Sequence, residues 1–359
     1  MADKKFAFAS GRVSVAFILP LGLGDCVVAR KIFDAVVELA PHCIIDTFCL
    51  SNAHFYFAKA FLGDSKNLNL ILPQHQNKDF IKNYDLALKI EGTFAVFPEI
   101  IKPERIQSGA PALFQSLIKI VEYNKRNIYP FMSSFISYAL HNVVMAKILR
   151  KNYNYFLSCG GALPIREDRF GISLSPEYKS KFDNLKLDHY ITIYTDIEDK
   201  IESPKIKTWS IQYLREYVYM VKKEFPEIEI LQVEGKDSKQ IDNVDRYFLG
   251  EDLELTKYIL ANSLLQIGCE GGLIHLATAL GTKCIVLFGS ANVYYHGCHQ
   301  NINLVSDVCG PCIYTWGDGN LRECGRGAKE PPCMLSITPK QVFEATRNFL
   351  NHLEWKNNT

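Results

Sequence analysis

The sequence lacks a surplus of either charge, an apolar run of membrane length and the cysteine pattern of a disulfide-rich protein. Its 40 Lys and Arg residues are balanced by 39 Asp and Glu residues, which leaves a net charge of +1. This balance gives no electrostatic case for nucleic-acid binding and none against neutral or anionic small ligands. No apolar stretch reaches the roughly 18 residues that a membrane span needs. We therefore expect no transmembrane segment.

The start of the chain and its cysteines favour a cytoplasmic protein. Lys4 and Lys5 precede an apolar stretch, as in a signal peptide, but Arg12 interrupts that stretch. The stretch ends in "PLGLGD", which is more typical of the turn after a first strand. The cysteine count is odd at 11, and seven of these residues are scattered singly through apolar segments. That usage is typical of reduced, buried thiols.

Strands and amphipathic helices alternate along the chain, which predicts an α/β protein with parallel sheets. In the first half the predicted strands are 13–19, 43–50, 67–73 and 84–90, with helices at 26–39 and 53–62 and a helical, aromatic-rich stretch at 112–157. The second half repeats the pattern with strands at 190–196 and 228–235 and a helix at 210–226 between them. Two further strands are "LLQIG" and "KCIVLFGS", and a last helix is predicted at 338–354. Thr338 is the predicted N-cap of that helix, with Pro339 at its first position.

We therefore predict two Rossmann-like, doubly wound domains, 1–175 and 186–359, joined near a polar stretch at 165–188. In such folds, ligands bind beyond the carboxyl ends of the strands. Two such domains facing each other create a cleft. Two glycine-rich turns, "PLGLGD" and "GCEGG", fall at these strand ends. They are the predicted functional segments.

The second of these turns has the pattern of a phosphate site. In "LLQIGCEGGLIHLATALG" a strand, a tight turn and a helix follow one another, and Gly271 and Gly272 open the helix. Bare amides and the dipole at a helix start bind phosphate, and glycine permits close approach and a positive φ. His275 lies one turn further on. The alternative is a purely structural turn, with Glu270 as N-cap and His275 packed beneath it.

Three more polar residues lie near predicted strand ends. Lys207 precedes a helix, where a lysine opposes the helix dipole unless an anion is nearby, although a solvated loop lysine is the alternative. Asp25 ends "PLGLGD" and could be either an N-cap or a general base that accepts a proton from an attacking hydroxyl. Glu91, in "KIEGTF", is a second carboxylate with a weaker claim.

Four cysteines are close together in a loop rich in glycine and proline, residues 306–337. Their spacing is C-x2-C-x11-C-x8-C, at Cys309, Cys312, Cys324 and Cys333. Four sulfur ligands are typical of a closed structural site for zinc or iron, and a metal would order a loop without its own core. Unliganded thiols are the alternative. The near-zero net charge argues against a nucleic-acid zinc ribbon.

Taken together, these segments resemble the ADP-heptose glycosyltransferases of glycosyltransferase family 9. The resemblance rests on "IGCEGGLIHLATALGTKCIVLFGS", on Gly24-Asp25 after the first strand, and on Lys207-Thr208-Trp209 ahead of "YLREY". It covers roughly residues 13–50 and 190–350, and the region 95–185 has no clear match. The family implies the GT-B fold, with an acceptor-side N-terminal domain and a C-terminal nucleotide-sugar donor domain that holds the four-cysteine loop.

The resemblance also implies an activity: inverting transfer of a sugar from a nucleotide-diphosphate donor such as ADP-heptose, with no catalytic metal. Asp25 would be the general base, and Lys207 with the amides of Gly271, Gly272 and Leu273 would hold the diphosphate. Glu270 and His275 would belong to the same donor site. The cysteine loop resembles the metal finger of protein-directed heptosyltransferases. The acceptor would be a hydroxyl of a bacterial surface glycan or of a protein, and a homo-oligomer is left open.

This chain departs from the family pattern at the donor turn. The family's Asp-Thr-Gly is Glu270-Gly271-Gly272 here, and its Ser before the histidine is Ile274. Backbone phosphate binding would survive these changes, whereas hydroxyl contacts would not, so the donor sugar is not fixed. Two alternatives therefore stand beside the transferase: a nucleotide-sugar 2-epimerase of GT-B-like fold, and a catalytically silent nucleotide-sugar-binding protein.

Overall fold

A computed structural model describes most of the chain. The described residues are 5–20, 22–49, 51–73, 78–127, 135–166, 171–195, 206–314 and 324–353. The chain divides into two compact units, Met1–Ser173 and Leu174–Thr359. The acceptor and donor roles assigned to the two halves stay predictions. None of the helices among the described residues has the length and apolarity needed to cross a bilayer.

Unit 1 is built on a five-stranded sheet in the order β3-β2-β1-β4-β5. Its strands are β1 (Ser14–Ile18), β2 (Ile44–Cys49), β3 (Leu68–Pro73), β4 (Leu86–Glu91) and β5 (Ala95–Ile100). The pairs β1–β2, β2–β3 and β1–β4 are parallel, and β5 pairs antiparallel with β4. The strand order reverses between β1 and β4, which makes the carboxyl end of β1 a topological switch point.

Among the described residues of unit 1, six α-helices accompany this sheet. They are α1 (Leu23–Leu39), α2 (Asn52–Leu62), α3 (Pro103–Gly109), α4 (Pro111–Asn127), α5 (Phe135–Leu149) and α6 (Tyr153–Leu157). Strand β1 is buried along its whole length, as expected of a central parallel strand covered on both faces. Phe17 packs edge-to-face on Phe33 of α1, whereas Ala16 and Ile18 belong to a core cluster that contains Phe48.

Unit 2 is built on a six-stranded sheet in the order β11-β10-β9-β6-β7-β8, with every pair parallel. Its strands are β6 (Tyr190–Ile193), β7 (Glu229–Glu234), β8 (Arg246–Leu249), β9 (Leu265–Cys269), β10 (Cys284–Phe288) and β11 (Ile302–Val305). The chain winds from β6 towards β8 and then returns to β9 on the other side of β6. The switch point of this sheet therefore lies between β6 and β9.

In the described part of unit 2, seven α-helices accompany the second sheet. They are α7 (Lys179–Asp183), α8 (Ile211–Glu224), α9 (Leu253–Ala261), α10 (Gly272–Ala279), α11 (Val293–His296), α12 (Pro332–Leu335) and α13 (Pro339–His352). Alternate residues of β6 face two core clusters: Ile191 packs with buried residues of α8 and α13, and Tyr190 packs with Ile259 of α9. Helices thus cover both faces, which confirms the predicted doubly wound α/β class. Thr338 caps α13 in a capping box with Gln341, as predicted.

Three strands were not predicted from the sequence: β5, β8 and β11. Strand β5 contains Pro98, which lacks an amide hydrogen and is tolerated at the side of a sheet. Strands β8 and β11 have four residues each and lie at the ends of the second sheet. Such short segments carry too few side chains for a recognisable alternation.

Candidate functional site

The candidate site of unit 2 is centred on Glu270, the first residue after β9. Gly271 follows as the N-cap of α10, and Gly272 is the first helical residue. The Glu270 amide donates to the Leu287 carbonyl of β10 at 3.3 Å, which ties the turn to the neighbouring strand. Because β9 flanks the switch point, Glu270 lies at the sheet edge where doubly wound folds bind ligands.

Lys207 and two histidines surround the Glu270 carboxylate, whose side chain is 8% exposed. Lys207 donates from Nζ to Oε2 at 2.9 Å. His275 Nε2 lies 3.2 Å from Oε1, and His296 Nδ1 lies 3.7 Å from the same oxygen. The structure therefore brings together Lys207, Glu270 and His275, three of the residues assigned to one site from the sequence. It does not show Glu270 as a side-chain cap of α10.

The ionisation of the site follows from burial and from Lys207. Burial alone would raise the pKa of Glu270, but Lys207, His296 and His275 together outweigh it and hold that pKa well below its ordinary value. Burial lowers the pKa of His296 from 6.5 to about 4, against the opposing effect of Glu270. His296 is therefore neutral at pH 7, so its charge acts on Glu270 only at lower pH, and Lys207 is the largest of the remaining effects that keep Glu270 ionised.

Packing on either side fixes the position of Lys207. Its neighbour Ile206 accepts a hydrogen bond from Ser290 Oγ at 3.2 Å, just beyond the end of β10. Trp209 is buried and donates from Nε1 to the Ile337 carbonyl at 2.8 Å. These two contacts anchor the backbone around Lys207, so its side chain reaches Glu270 from a fixed loop.

Tyr194 limits the space at two glycines, Gly268 at the end of β9 and Gly271 in the turn. Neither Gly271 nor Gly272 lies in the left-handed region, and Gly271 is extended, with φ 170°. A Cβ on Gly268 would lie 2.1 Å from the Tyr194 ring, and one on Gly271 would lie 3.0 Å from the Tyr194 hydroxyl. No side chain in the described part of the chain caps α10. The amides of its first turn thus have no partner within the helix and point to the same edge as Glu270.

The two carboxylates predicted in the first half belong to unit 1. Asp25 lies in the first turn of α1, directly beyond β1, and is half-buried. One of its carboxylate oxygens lies 2.7 Å from where a Cβ on Gly22, the N-cap, would be. The carboxylate therefore folds over the start of its own helix, but Gly22 is the N-cap and α1 has no side-chain cap, so the N-cap alternative for Asp25 is wrong. Glu91 ends β4 and pairs with Lys89.

His296 was missed by the sequence analysis. It ends α11, a single turn held by Asn292, whose side chain accepts from the amides of Tyr294 and Tyr295 at 2.8 and 3.4 Å. The available signal was its position in the loop after β10, because that loop opens onto the same sheet edge as the loop after β9. His296 is buried in the structure, and the sequence of a single helical turn gives no sign of that burial.

Among the described residues, Glu270, His275 and His296 place one potential metal-ligand atom each within 4.8 Å of one another. Spacing in the sequence did not suggest this cluster. The Lys207 ammonium already holds one oxygen of the carboxylate and adds a positive charge. A divalent cation at this cluster would therefore have to compete with Lys207 for the carboxylate.

The four predicted metal-ligand cysteines line one cavity of about 190 Å³, together with Ile206, Ser290, Gly310, Gly325, Arg326 and Pro331. The Cys312 amide donates to the Ser290 carbonyl at 3.0 Å, which docks the loop near the end of β10.

Burial, Cys309 and Cys312 raise the pKa of Cys333 to about 12. Burial, Cys324 and Cys309 raise the pKa of Cys312. Neighbouring thiols thus act on both Cys312 and Cys333. The predicted loop also includes 315–323, which lie outside the described residues.

Three solved structures are similar to this chain over most of its length. ADP-heptose lipopolysaccharide heptosyltransferase II of E. coli has a TM-score of 0.57 at 14% identity, covering 94% of this chain and 98% of its own. A family 9 glycosyltransferase of Veillonella parvula has a TM-score of 0.56 at 11% identity, covering 97% and 99%. The iron-containing, dodecameric glycosyltransferase TibC of enterotoxigenic E. coli has a TM-score of 0.57 at 14% identity, covering 95% and 76%.

The chain has the fold of the family 9 glycosyltransferases. No family model matches the sequence. A curated relative, malonyl-[acyl-carrier protein] O-methyltransferase 1 of Ilyobacter polytropus, is 37% identical over 86 residues, which are 24% of this chain and 31% of that protein. The match therefore spans less than a third of that relative's length. The predicted resemblance to family 9 is confirmed at the level of the fold.

The lowered pKa of His296 predicts a pH-dependent loss of stability. Between pH 6.5 and about 4 the unfolded chain binds a proton that the folded chain excludes, so stability falls on acidification. At pH 5 this residue alone should have removed about 2 kcal/mol relative to pH 7. His296→Gln should flatten the dependence in urea unfolding between these pH values. His352→Gln, an exposed control, should retain the wild-type slope. Equal slopes for His296→Gln and wild type would contradict the assignment.

Proposed function

We propose that the chain is an inverting glycosyltransferase that moves a heptose from a nucleotide-diphosphate donor such as ADP-heptose to a hydroxyl of a glycan or protein. The observation that carries this proposal is the meeting of Lys207 with the start of α10 at the switch point of the second sheet. An ammonium beside the first amides of a helix provides two independent attractions for a diphosphate. The shared fold with family 9 supports the same activity.

In this proposal, unit 2 holds the donor. Lys207 and the amides of Gly271, Gly272 and Leu273 bind the diphosphate. Glu270 keeps Lys207 pointed at the helix start, and His275, in the first turn of α10, is hydrogen-bonded to the same carboxylate. The bare glycines allow close approach of phosphate oxygens. They supply no hydroxyl, so the donor sugar must be recognised by other groups.

The proposed reaction is a direct displacement at the anomeric carbon. The acceptor oxygen forms the new bond, and the bond to the diphosphate oxygen breaks with inversion. Asp25 takes the hydroxyl proton, and the negative charge developing on the diphosphate is stabilised by Lys207 and the α10 amides. Asp25 lies at the switch point of the first sheet, where a ligand of unit 1 is expected.

The four cysteines are proposed to hold a structural zinc or iron ion. Their thiols line a common cavity, and a donor set of four sulfurs suits either metal in a closed tetrahedral site. TibC, which has a similar fold, is described as iron-containing. The metal would stabilise the loop and would take no part in sugar transfer. We place the protein in the cytoplasm, because buried cysteine thiols outside disulfides are typical of that compartment.

The role of Asp25 predicts a separation of binding from turnover. Asp25→Asn should lower transfer at least 100-fold because it removes the base. ADP affinity should stay within about twofold, since the donor contacts lie in unit 2. The measurement is transfer of labelled heptose from ADP-heptose to an acceptor glycan or protein, with Asp79→Asn, at an exposed ion pair, as the control. Undiminished transfer by Asp25→Asn would refute the base assignment.

The same assay separates the proposed transferase from the two alternatives. A transferase releases ADP and labels the acceptor only when both substrates are present. A 2-epimerase would convert the donor sugar without an acceptor, and a silent binding protein would bind the nucleotide without either product. Either of these results in the wild-type protein would overturn the proposed function.

The role of Lys207 predicts a loss of donor affinity of tenfold or more, because a charged hydrogen bond to phosphate disappears. Lys207→Gln alone would leave Glu270 buried without its ammonium, which destabilises the fold. The double variant Lys207→Gln/Glu270→Gln removes both charges and should melt close to wild type. Its ADP affinity, measured by isothermal titration calorimetry, should still be reduced. Lys222→Gln, at a surface ion pair, is the control. Wild-type affinity in the double variant would contradict the phosphate role.

The cysteine site predicts that metal content and stability fall together. Cys309→Ser should lower the bound zinc or iron, measured by mass spectrometry of the purified protein, and should lower the melting temperature. Cys298→Ser is the matched control, because Cys298 is a half-buried cysteine of the same unit outside the four. Wild-type protein that contains neither metal, or Cys309→Ser protein with an unchanged metal content, would exclude the site.

A further inference from the structure

Three side chains of unit 2 converge beside the ion pair of Lys207 and Glu270. Glu270 follows β9, His275 lies in the first turn of α10, and His296 ends α11 after β10. Each of these three side chains is at most 10% exposed. They come from the loops of two neighbouring parallel strands, whose carboxyl ends lie at the same edge of the sheet. The topology of the second sheet therefore produces the convergence.

The two oxygens of the Glu270 carboxylate face different partners. Lys207 Nζ is 2.9 Å from Oε2, whereas both histidines approach Oε1. His275 Nε2 lies 3.2 Å from Oε1, but His296 Nδ1 lies 3.7 Å from it, which is too long for a hydrogen bond. A hydrogen bond to Glu270 therefore does not account for the buried position of His296 beside this oxygen.

The separations around Oε1 suit a tetrahedral metal ion. A zinc ion with ligands at about 2.0–2.1 Å places neighbouring ligand atoms about 3.3 Å apart. The two distances from Oε1 to imidazole nitrogens, 3.2 and 3.7 Å, are close to this value, and all three potential ligand atoms lie within 4.8 Å of one another. Two imidazoles and one carboxylate form a donor set that suits zinc and leaves a fourth position open, whereas magnesium and calcium favour oxygen ligands.

Both imidazole rings are held by their surroundings. The His275 amide donates to the Gly271 carbonyl at 3.1 Å, and the His296 amide donates to the Asn292 carbonyl at 2.9 Å. The His296 ring also packs edge-to-face against Tyr295, with ring centroids 4.9 Å apart. A metal ion would therefore need little rearrangement of the two imidazoles, and such preorganisation favours binding.

We propose that Glu270, His275 and His296 form a zinc site whose occupancy is coupled to the donor diphosphate. The ion takes Oε1 while Lys207 stays at Oε2, so two cations share one carboxylate. Sharing weakens the hold of Glu270 on Lys207 and leaves the ammonium more available to a diphosphate. The diphosphate in turn supplies the negative charge that two neighbouring cations need. Metal and nucleotide thus favour each other, and this coupling rests on the proposed donor site.

The site predicts a second zinc ion besides any ion held by the four cysteines. The test is calorimetric titration of zinc into the full chain as purified, at pH 7, with bound zinc counted by native mass spectrometry. His296→Gln and His275→Gln should each weaken the second ion at least tenfold, because one of its three ligands is lost. Magnesium should not replace the zinc. His352→Gln, at an exposed histidine, should bind as wild type, and Cys309→Ser should lose only the other ion.

The coupling is tested with ADP. Saturating zinc should raise the ADP affinity of wild type about fivefold, and ADP should raise the zinc affinity by the same factor. Zinc also binds ADP in solution, but this contribution is equal for His296→Gln, which should show no enhancement. Without zinc, His296→Gln should bind ADP within about twofold of wild type, since it retains Lys207 and the amides of α10.

Other outcomes would overturn the proposal. Wild type without a second zinc ion, or histidine variants that bind it as tightly as wild type, would exclude the metal site. Equal ADP affinity with and without zinc would exclude the coupling. Failure of the proposed function has a different signature: the second ion would still bind and depend on His296, but ADP would bind under neither condition.

Discussion

The ion pair between Lys207 and Glu270 is the interaction on which the candidate site of unit 2 depends. Both side chains are largely removed from water, so either charge alone would be costly, and their contact at 2.9 Å compensates for that loss. The pair also joins two chain segments far apart in sequence, the loop before α8 and the turn after β9. These segments meet because β6 and β9 are neighbours at the point where the strand order reverses. Topology thus brings the charges together, and burial makes their pairing necessary.

The same pair determines what kind of ligand the site suits. With Lys207 cationic, Glu270 anionic and His296 neutral, the fixed charges nearly cancel at pH 7. The remaining bias comes from the amides at the start of α10, which favour negative charge. An incoming diphosphate would share Lys207 with Glu270, and a site of this kind binds an anion through preorganised donors more than through net charge. A glutamate suits this arrangement because its longer side chain reaches Lys207 while the two glycines leave the helix start uncovered.

The sequence predicted the central part of each sheet and the polar groups attached to it. Fully buried strands such as β9 and β10 have continuous apolar runs, and the residues directly after them, including Glu270, could be located by counting. His296 and Tyr194 could not be found in this way. His296 belongs to a single helical turn without apolar periodicity, and the effect of Tyr194 on Gly268 depends on side-chain packing between neighbouring strands. Strands β8 and β11 were not predicted, because four residues are too few to show an alternating pattern. Their strand conformation is evident only from their pairing with the longer strands β7 and β10.

Desolvation acts on both polar clusters of unit 2 and leads to opposite consequences. At Glu270 it opposes ionisation but is outweighed by an ammonium that the chain itself supplies. At Cys333 it acts in the same direction as the neighbouring thiols and raises the pKa of Cys333, so this thiol is neutral at pH 7. A metal ion would have to displace their protons, and its affinity would therefore increase with pH. The first cluster already contains its compensating cation, whereas the second would gain its cation only from a bound metal.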